Sequence, residues 1–351
     1  MVPVVDVSRR VARHRQAFLE VVGQVLDSGS LLLGPQLLGF ERAFARFAGG
    51  AQCVGVASGA SALQLALAAM DVGPGDEVIV PAMTAVPTAS AVCAVGATPV
   101  FADVDLATAA IDPAAARSAM TRRTRAAIGV HLYGRPFDVA ALSAAVGVPI
   151  VEDCAQAHGA TRHVAGVVAA YSFYPTPNLG GVGDGGAVVT DDVALASRVR
   201  RLRAHGASAQ YVHVDISQNH RMSEIEAAWL ALTLPYLAAD NERRRQIVAA
   251  YRNAAPQLTW QADHASHVYH LAVVRASDRA ALCEHLRARG VASAVHYPLA
   301  LTQQPAYARF VTDACPNAEQ WAAGCVSVPC FPELTDAEVD TVCAALQVAP
   351  A

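Results

Sequence analysis

Apolar and polar positions along the chain alternate between two periods. Apolar residues recur at helical spacing over 13–26, ending in the turn Asp27-Ser28-Gly29, and again over 35–47. Beyond these two helices the runs become short. Apolar stretches at 53–57, 77–81, 98–102, 126–131, 149–153 and 186–190 read as strands, and 60–70 and 86–94 as helices between them. Short apolar strands alternating with helices predict a mostly parallel sheet covered on both faces. Ligands in such sheets sit at the carboxyl ends of strands. Ser58, Thr84, His131, Asp153 and Ser172 all fall at or just after predicted strand ends.

A helical stretch over 223–257 leads into a second region, where 267–274, a helix over 279–289 and 295–298 predict an α+β unit. Thr335-Asp-Ala-Glu338 reads as the capping box of a last helix. The expected division is a large α/β domain with N-terminal helices over 1–240 and a small C-terminal α+β domain over 241–351. A chain of 351 residues is long enough for both.

Composition narrows the function classes. A net charge of −4 argues against a nucleic-acid footprint. No apolar run reaches the roughly 18–20 residues of a membrane span, and no basic segment followed by an apolar core opens the chain. Eight scattered cysteines without a C-x-x-C pair indicate neither a zinc site nor a disulfide framework, so the expected setting is a reducing cytoplasm. All 26 basic residues are arginine; the chain contains no lysine. Lysine is the usual Schiff-base nucleophile. Its absence fits arginine-for-lysine drift in an Ala/Arg-rich chain, and equally fits avoidance of amines that a reactive carbonyl would trap.

Several segments, in order, carry a resemblance: Leu33-Gly34-Pro35, Ala57-Ser58-Gly59, Gly73-Pro-Gly-Asp-Glu-Val-Ile-Val-Pro81, Gly96-Ala-Thr-Pro-Val-Phe101, His131-Leu-Tyr-Gly134, Glu152-Asp-Cys-Ala-Gln-Ala-His-Gly159, Gly183-Asp-Gly-Gly186, Asn219-His-Arg-Met222 and His296-Tyr-Pro298. From about Asp27 to Leu346 the chain resembles the StrS/DegT-type sugar aminotransferases, which use pyridoxal phosphate (PLP) on the aspartate aminotransferase fold. The resemblance implies PLP-transferase fold type I: a mostly parallel, seven-stranded-type sheet sandwiched by helices, with a small α+β domain. It also implies roles. Asp153 matches the carboxylate that pairs with the PLP ring nitrogen, Gln156 the side chain at the ring, Ser172 a phosphate contact, and Asn219 a residue that reaches the phosphate of a neighbouring subunit.

The same resemblance exposes departures. Pro177, in Tyr171-Ser-Phe-Tyr174-Pro-Thr-Pro177, stands where the family has its Schiff-base lysine. Ala60 replaces a threonine after Ser58-Gly59, Ala85 replaces a ring-stacking aromatic, Thr302 replaces a histidine, and the stretch between His158 and Ser172 is shorter than the family pattern. Most of these losses fall on one ligand, so the sequence predicts a pocket rebuilt after PLP was abandoned. The expected catalytic groups are Asp153, His158, His131 and Tyr174, with His296 also at the pocket; histidine is the natural acid or base near neutral pH. The expected activity is PLP-independent: acid/base cyclisation, dehydration or isomerisation of a small carbonyl-containing metabolite, with no covalently bound cofactor and no metal. Two alternatives stand beside it, a non-catalytic partner of an active aminotransferase and an enzyme holding PLP or pyridoxamine phosphate (PMP) without a bond. The expected assembly is a homodimer.

Overall fold

The computed structural model describes residues 1–160 and 165–350. Two helices open the chain, α1 (Val7–Ser28) and α2 (Pro35–Ala48). The Asp6 carboxylate caps the first by accepting the Ser8 N–H at 3.0 Å, and Gly29, at φ 65°, ends it in a left-handed turn that suits glycine. Then follow β1 (Gln52–Val56), α3 (Gly59–Ala69), β2 (Glu77–Pro81), α4 (Pro87–Ala94), β3 (Thr98–Ala102), α5 (Pro113–Ser118), β4 (Thr124–Val130), α6 (Val139–Val146), β5 (Ile150–Asp153), β6 (Val168–Ser172), β7 (Gly186–Thr190) and α7 (Val193–Leu202).

These strands form a seven-stranded sheet in the order β1-β7-β6-β5-β4-β2-β3. Neighbours from β6 through β3 pair in parallel, while β7 is antiparallel to both β1 and β6. The fold is therefore α/β with a mixed, mostly parallel sheet. Because β7 reverses against both neighbours, β1 and β6 run the same way. The carboxyl ends of β1, β5 and β6 thus reach one edge, and that edge carries the site.

The sequence pattern did not single out β6, which it read only as part of a motif, nor α5, α6 and α7. A hairpin of β8 (Ala207–Ala209) and β9 (Val212–His213) precedes α8 (Glu224–Thr233) and α9 (Leu237–Ala254). The single helix expected over 223–257 is broken between these two by a 3-10 turn at Leu234–Tyr236. Pro235 lies there, and its missing N–H cannot continue the α-helical ladder. The expected boundary after residue 240 falls inside α9.

The second region holds β10 (Thr259–Trp260), β11 (Ala272–Arg275), α10 (Arg279–Ala288), α11 (Pro316–Gly324), β12 (Cys325–Val328) and α12 (Asp336–Gln347), with the three strands antiparallel in the order β10-β11-β12. The capping box of α12 is present as expected: Glu338 N–H donates to Thr335 Oγ1 at 3.2 Å and Thr335 N–H to Glu338 Oε2 at 2.9 Å. The first residues belong to this region as well. Val2 bridges to Val291 and is buried with Leu282, Leu286 and Val342. From there the chain runs past Val4, whose carbonyl accepts the Cys330 N–H, toward the sheet edge. No helix among the described residues is long and apolar enough to cross a membrane.

Candidate active site

At the carboxyl edge of the sheet lies a cavity of about 480 Å³. Asp153, the last residue of β5, forms part of its wall and is buried. Its partners are neutral: Thr88 Oγ1 donates to Oδ2 at 3.0 Å and Ala155 N–H to Oδ1 at 3.1 Å. Burial pushes its pKa above the usual carboxylate value, against the pull of those two donors. Thr84 stands behind Thr88 at 3.1 Å.

Beside it, Gly59 and Ala60 line the cavity at the start of α3. Ser58 sits just behind as the N-cap, its Oγ accepting the Ser61 N–H at 3.1 Å. Helix starts leave N–H groups free and favour anions. A glycine is required at 59, because a Cβ there would lie 2.5 Å from Ser172 Cβ. That close approach sets Ser172 against the helix start.

The facing wall is shared by the loop after β5, by α9 and by the second region. Gln156 holds two partners, with Oε1 accepting from Tyr133 N–H at 2.6 Å and Nε2 donating to Tyr297 Oη at 3.1 Å. His296 Nδ1 pairs with Ser327 Oγ at 2.8 Å. Arg244 of α9 donates from Nη1 to the carbonyls of Tyr269 at 3.2 Å and Cys330 at 2.5 Å, so its charge faces dipoles rather than a carboxylate there. His270, Leu271, Val4 and Val5 complete this side. Arg10 of α1 grips the lysine-position loop from outside, donating to the carbonyls of Pro175 and Pro177. Burial lowers its pKa to about 10.

Of the residues expected from sequence, Gly59, Ala60, Ala85, Asp153, Gln156, Ser172, Tyr174, Pro177 and His296 all line this cavity, Tyr174 at its exposed rim. Four expected residues do not: Ser58 sits behind the wall as the α3 cap, and His131, His158 and Asn219 lie elsewhere. His131 is fully buried behind the wall, with Nε2 on Glu152 at 3.1 Å and Nδ1 accepting the Phe137 N–H at 3.3 Å. With Cys154 these two come within 4.8 Å of one another, but Glu152 already spends its other oxygen on the Gly166 N–H at 2.7 Å.

His158 is packed among Phe44, Tyr171 and Phe173, and burial lowers its pKa to about 3. It is a neutral core group. Asn219 is exposed and accepts from Arg221 Nε at 2.8 Å. The segment read as shortened includes residues 161–164, which lie outside the described residues. Sequence reading missed Thr88, Arg244 and His270. Thr88 lies one helical turn after Thr84, a spacing that could have flagged it; the other two carry no local signal.

The site fits the ring and phosphate of a PLP-class cofactor. A buried carboxylate with neutral partners suits a protonated ring nitrogen, and the Gly59–Ser172 cradle at a helix start suits a phosphate. It does not fit the usual tether, since Pro177 has no amine and the chain has no lysine.

Residues 13–347 match the DegT/DnrJ/EryC1/StrS aminotransferase family. The chain is 41% identical over 350 residues to a UDP-N-acetyl-3-dehydro-alpha-D-glucosamine 3-aminotransferase of Acidithiobacillus ferrooxidans, covering 96% of this chain and 95% of that one. It is 43% identical over 348 residues to a dTDP-3-amino-3,4,6-trideoxy-alpha-D-glucose transaminase of Streptomyces venezuelae, covering 95% and 92%. Among solved structures, S. venezuelae DesV in complex with a ketimine intermediate superposes with a TM-score of 0.95 at 41% identity, over 99% of this chain and 97% of that one. NtdA of Bacillus subtilis with bound PMP gives 0.93 at 26%, over 98% and 84%.

These relatives overturn the expectation of a PLP-independent cyclase, dehydratase or isomerase without a bound cofactor. Full-length likeness at this level to named sugar transaminases points to aminotransferase chemistry and a PLP-class cofactor. Their names favour neither alternative, a non-catalytic partner or a cofactor held without a bond. The departures at 60, 85 and 177 and in the stretch between His158 and Ser172 do not amount to abandonment of PLP, because Asp153, Gln156, Ser172 and the α3 start remain assembled around one cavity. The chain belongs to the DegT/DnrJ/EryC1/StrS aminotransferase family.

Proposed function

We propose that this chain moves an amino group onto or from a nucleotide-linked sugar, using a PLP-class cofactor in the cavity at the carboxyl edge of the sheet. The Asp153 cradle carries this reading: a buried carboxylate met by two neutral donors beside a helix start that a Cβ at residue 59 would close. When bound, the cofactor supplies an electron sink for the carbon that carries the nitrogen. The chain's own residues do the rest. Asp153 holds the ring-nitrogen proton, the α3 start and Ser172 hold the phosphate, and Gln156 with Tyr297 fixes the side of the ring. The transferred nitrogen comes from a donor amine, on the substrate or on the aminated cofactor, and with no lysine in the chain no side-chain amine tethers the cofactor.

The test is a single turnover. Protein loaded with PMP is mixed with a nucleotide-linked 3-keto sugar, quenched and analysed by mass spectrometry. About one amino sugar per site is the expected result; none at all, from protein shown to hold PMP, ends the reading. Asp153→Asn should weaken PMP binding by on the order of 100-fold, since removing one side of a buried charge pair costs roughly 3 kcal/mol. Unchanged affinity would remove Asp153 from the role.

A homodimer is part of the same reading. Tyr211, Val212, Val214 and Ile216 expose apolar side chains around the β8–β9 hairpin, close in sequence to Asn219, which its own chain leaves outside the cavity. Light scattering at micromolar concentration should give two copies; a monomer would contradict this. All eight cysteines are free, which supports a reducing compartment.

A further inference from the structure

We propose that His270 is the proton-transfer group of this cavity, supplying from the second region the base that position 177 lacks. The proposal rests on the amino-transfer reading. Moving an amino group requires one proton to pass across a C–N–C unit. The C–H electron pair becomes the new C=N bond, and the carbon at the old C=N bond receives the proton. No oxidant is involved, and the base is regenerated. In a chain without lysine another side chain must take and return that proton.

Several other polar groups of the cavity are engaged or are poor bases. Asp153 accepts from Thr88 and Ala155 and is needed as an anion. Ser172 Oγ accepts the Tyr174 N–H at 3.3 Å, and a hydroxyl is a poor base. Tyr297 Oη accepts from Gln156, and His296 Nδ1 is tied to Ser327. Tyr174 lies at the exposed rim.

His270 differs. It lines the cavity, is nine-tenths buried, and its Nδ1 has no hydrogen-bond partner among the described residues. Its backbone is fixed: Arg244 spans the Tyr269 and Cys330 carbonyls, and Leu271 N–H donates to the Tyr133 carbonyl at 3.2 Å. Burial, with the Arg244 charge whose Nη1 lies 3.5 Å from the His270 carbonyl, holds the imidazole neutral, the form that has a lone pair to offer. His270 and Pro177 line the same cavity. Replacing a general base typically lowers a rate by 10²–10⁴.

The experiment uses the full chain with PMP as the probe. In histidine-labelled protein, the NMR resonance lost in His270→Gln should move when PMP is added. With PMP and a nucleotide-linked keto sugar in deuterated water, deuterium entry at the amine carbon should fall at least about 100-fold in His270→Gln. PMP affinity should change less than about threefold. Imidazole added to His270→Gly should restore part of the exchange, which a merely structural histidine would not allow. His264→Gln, at an exposed histidine outside the cavity, serves as the comparison and should keep most of the exchange. His270→Asn covers the case in which the glutamine variant fails to fold. The inference is overturned if exchange persists at the unaltered rate, or if the His270 resonance ignores PMP. Should the unaltered chain not bind PMP, the amino-transfer reading falls too; should it bind while His270→Gln exchanges normally, only His270 is excluded.

Discussion

Pro177→Lys, mixed with pyridoxal phosphate, is expected to develop the visible absorbance of a lysine Schiff base, and borohydride should then fix one pyridoxyl group at residue 177. The unaltered chain should take up none at any residue in the cavity, because it has no lysine. The argument starts from the loop. Pro177 lines the cavity together with Asp153 and Ser172, so a side chain placed there enters the same space. The loop is held by its backbone carbonyls rather than by the proline ring. Arg10 donates to those of Pro175 and Pro177, and Trp229 Nε1 donates to that of Gly180 at 2.8 Å. None of these contacts depends on the identity of residue 177. Giving up the proline costs about 0.4–1 kcal/mol in unfolded-state entropy, too little to undo the fold. Ala85 would still leave the ring without an aromatic stack worth on the order of 1 kcal/mol, so uptake should be weaker than the bond alone suggests. Mass spectrometry of the reduced protein decides the matter. Absence of the adduct, in a variant that folds and binds pyridoxal phosphate, would show that residue 177 does not face the aldehyde position.

Much of the frame was legible along the chain, for identifiable reasons. Ser58-Gly59-Ala60 follows an apolar strand and precedes a helix, and that local grammar places a helix start at a strand end. Asp153 closes an apolar run, so its position at the sheet edge follows from the strand itself. Thr335 and Glu338 satisfy each other within one turn. The failures share a different cause. His131 and His158 look like site residues because their letters are polar and their motif is shared with the family. Only the packing of Phe44, Tyr171 and Phe173 around one, and of Glu152 and Phe137 around the other, makes them core. Arg244 and His270 reach the cavity from 72 and 98 residues beyond Ser172, and Val4 from near the N-terminus, and no periodicity records such contacts. The departures at 60, 85 and 177 were legible as letters, but whether the remaining cofactor contacts stayed assembled was a question of geometry.

Stability should fall by about 3 kcal/mol between pH 6.5 and pH 4.5, driven by histidines buried in their neutral form. Burial lowers His158 and His267 to about 3 and puts His270 well below its usual value. Each has a folded pKa below its unfolded one. The unfolded chain therefore gains a proton at each of these positions as pH drops through about 6.5, and the folded chain does not. The stability they permit is present above that value and is lost on acidification, by about 2.3 kcal/mol each for His158 and His267 over the two units. Glu226 opposes them. Burial raises it to about 7, so the folded state takes its proton first and gains about 2 kcal/mol over the same range. Two losses of about 2.3 against one gain of about 2 leave the net near 3 kcal/mol. His270, His14, His220 and His296, also lowered by burial, act in the same direction, and Asp153 and Glu333, raised by burial, act with Glu226. Set against a typical total of about 5–15 kcal/mol, the loss is a sizeable fraction of the protein's stability. Urea unfolding at half-unit steps of pH measures the slope directly. His158→Phe, placed among aromatic rings with only its backbone carbonyl engaged by Asn241 at 2.8 Å, should remove about 2 kcal/mol of the acid loss while leaving the protein folded at neutral pH. A stability that stays flat or rises as the pH falls to 4.5 would mean that these imidazoles are protonated in the fold, and with them the neutral His270 that the proton-transfer role requires.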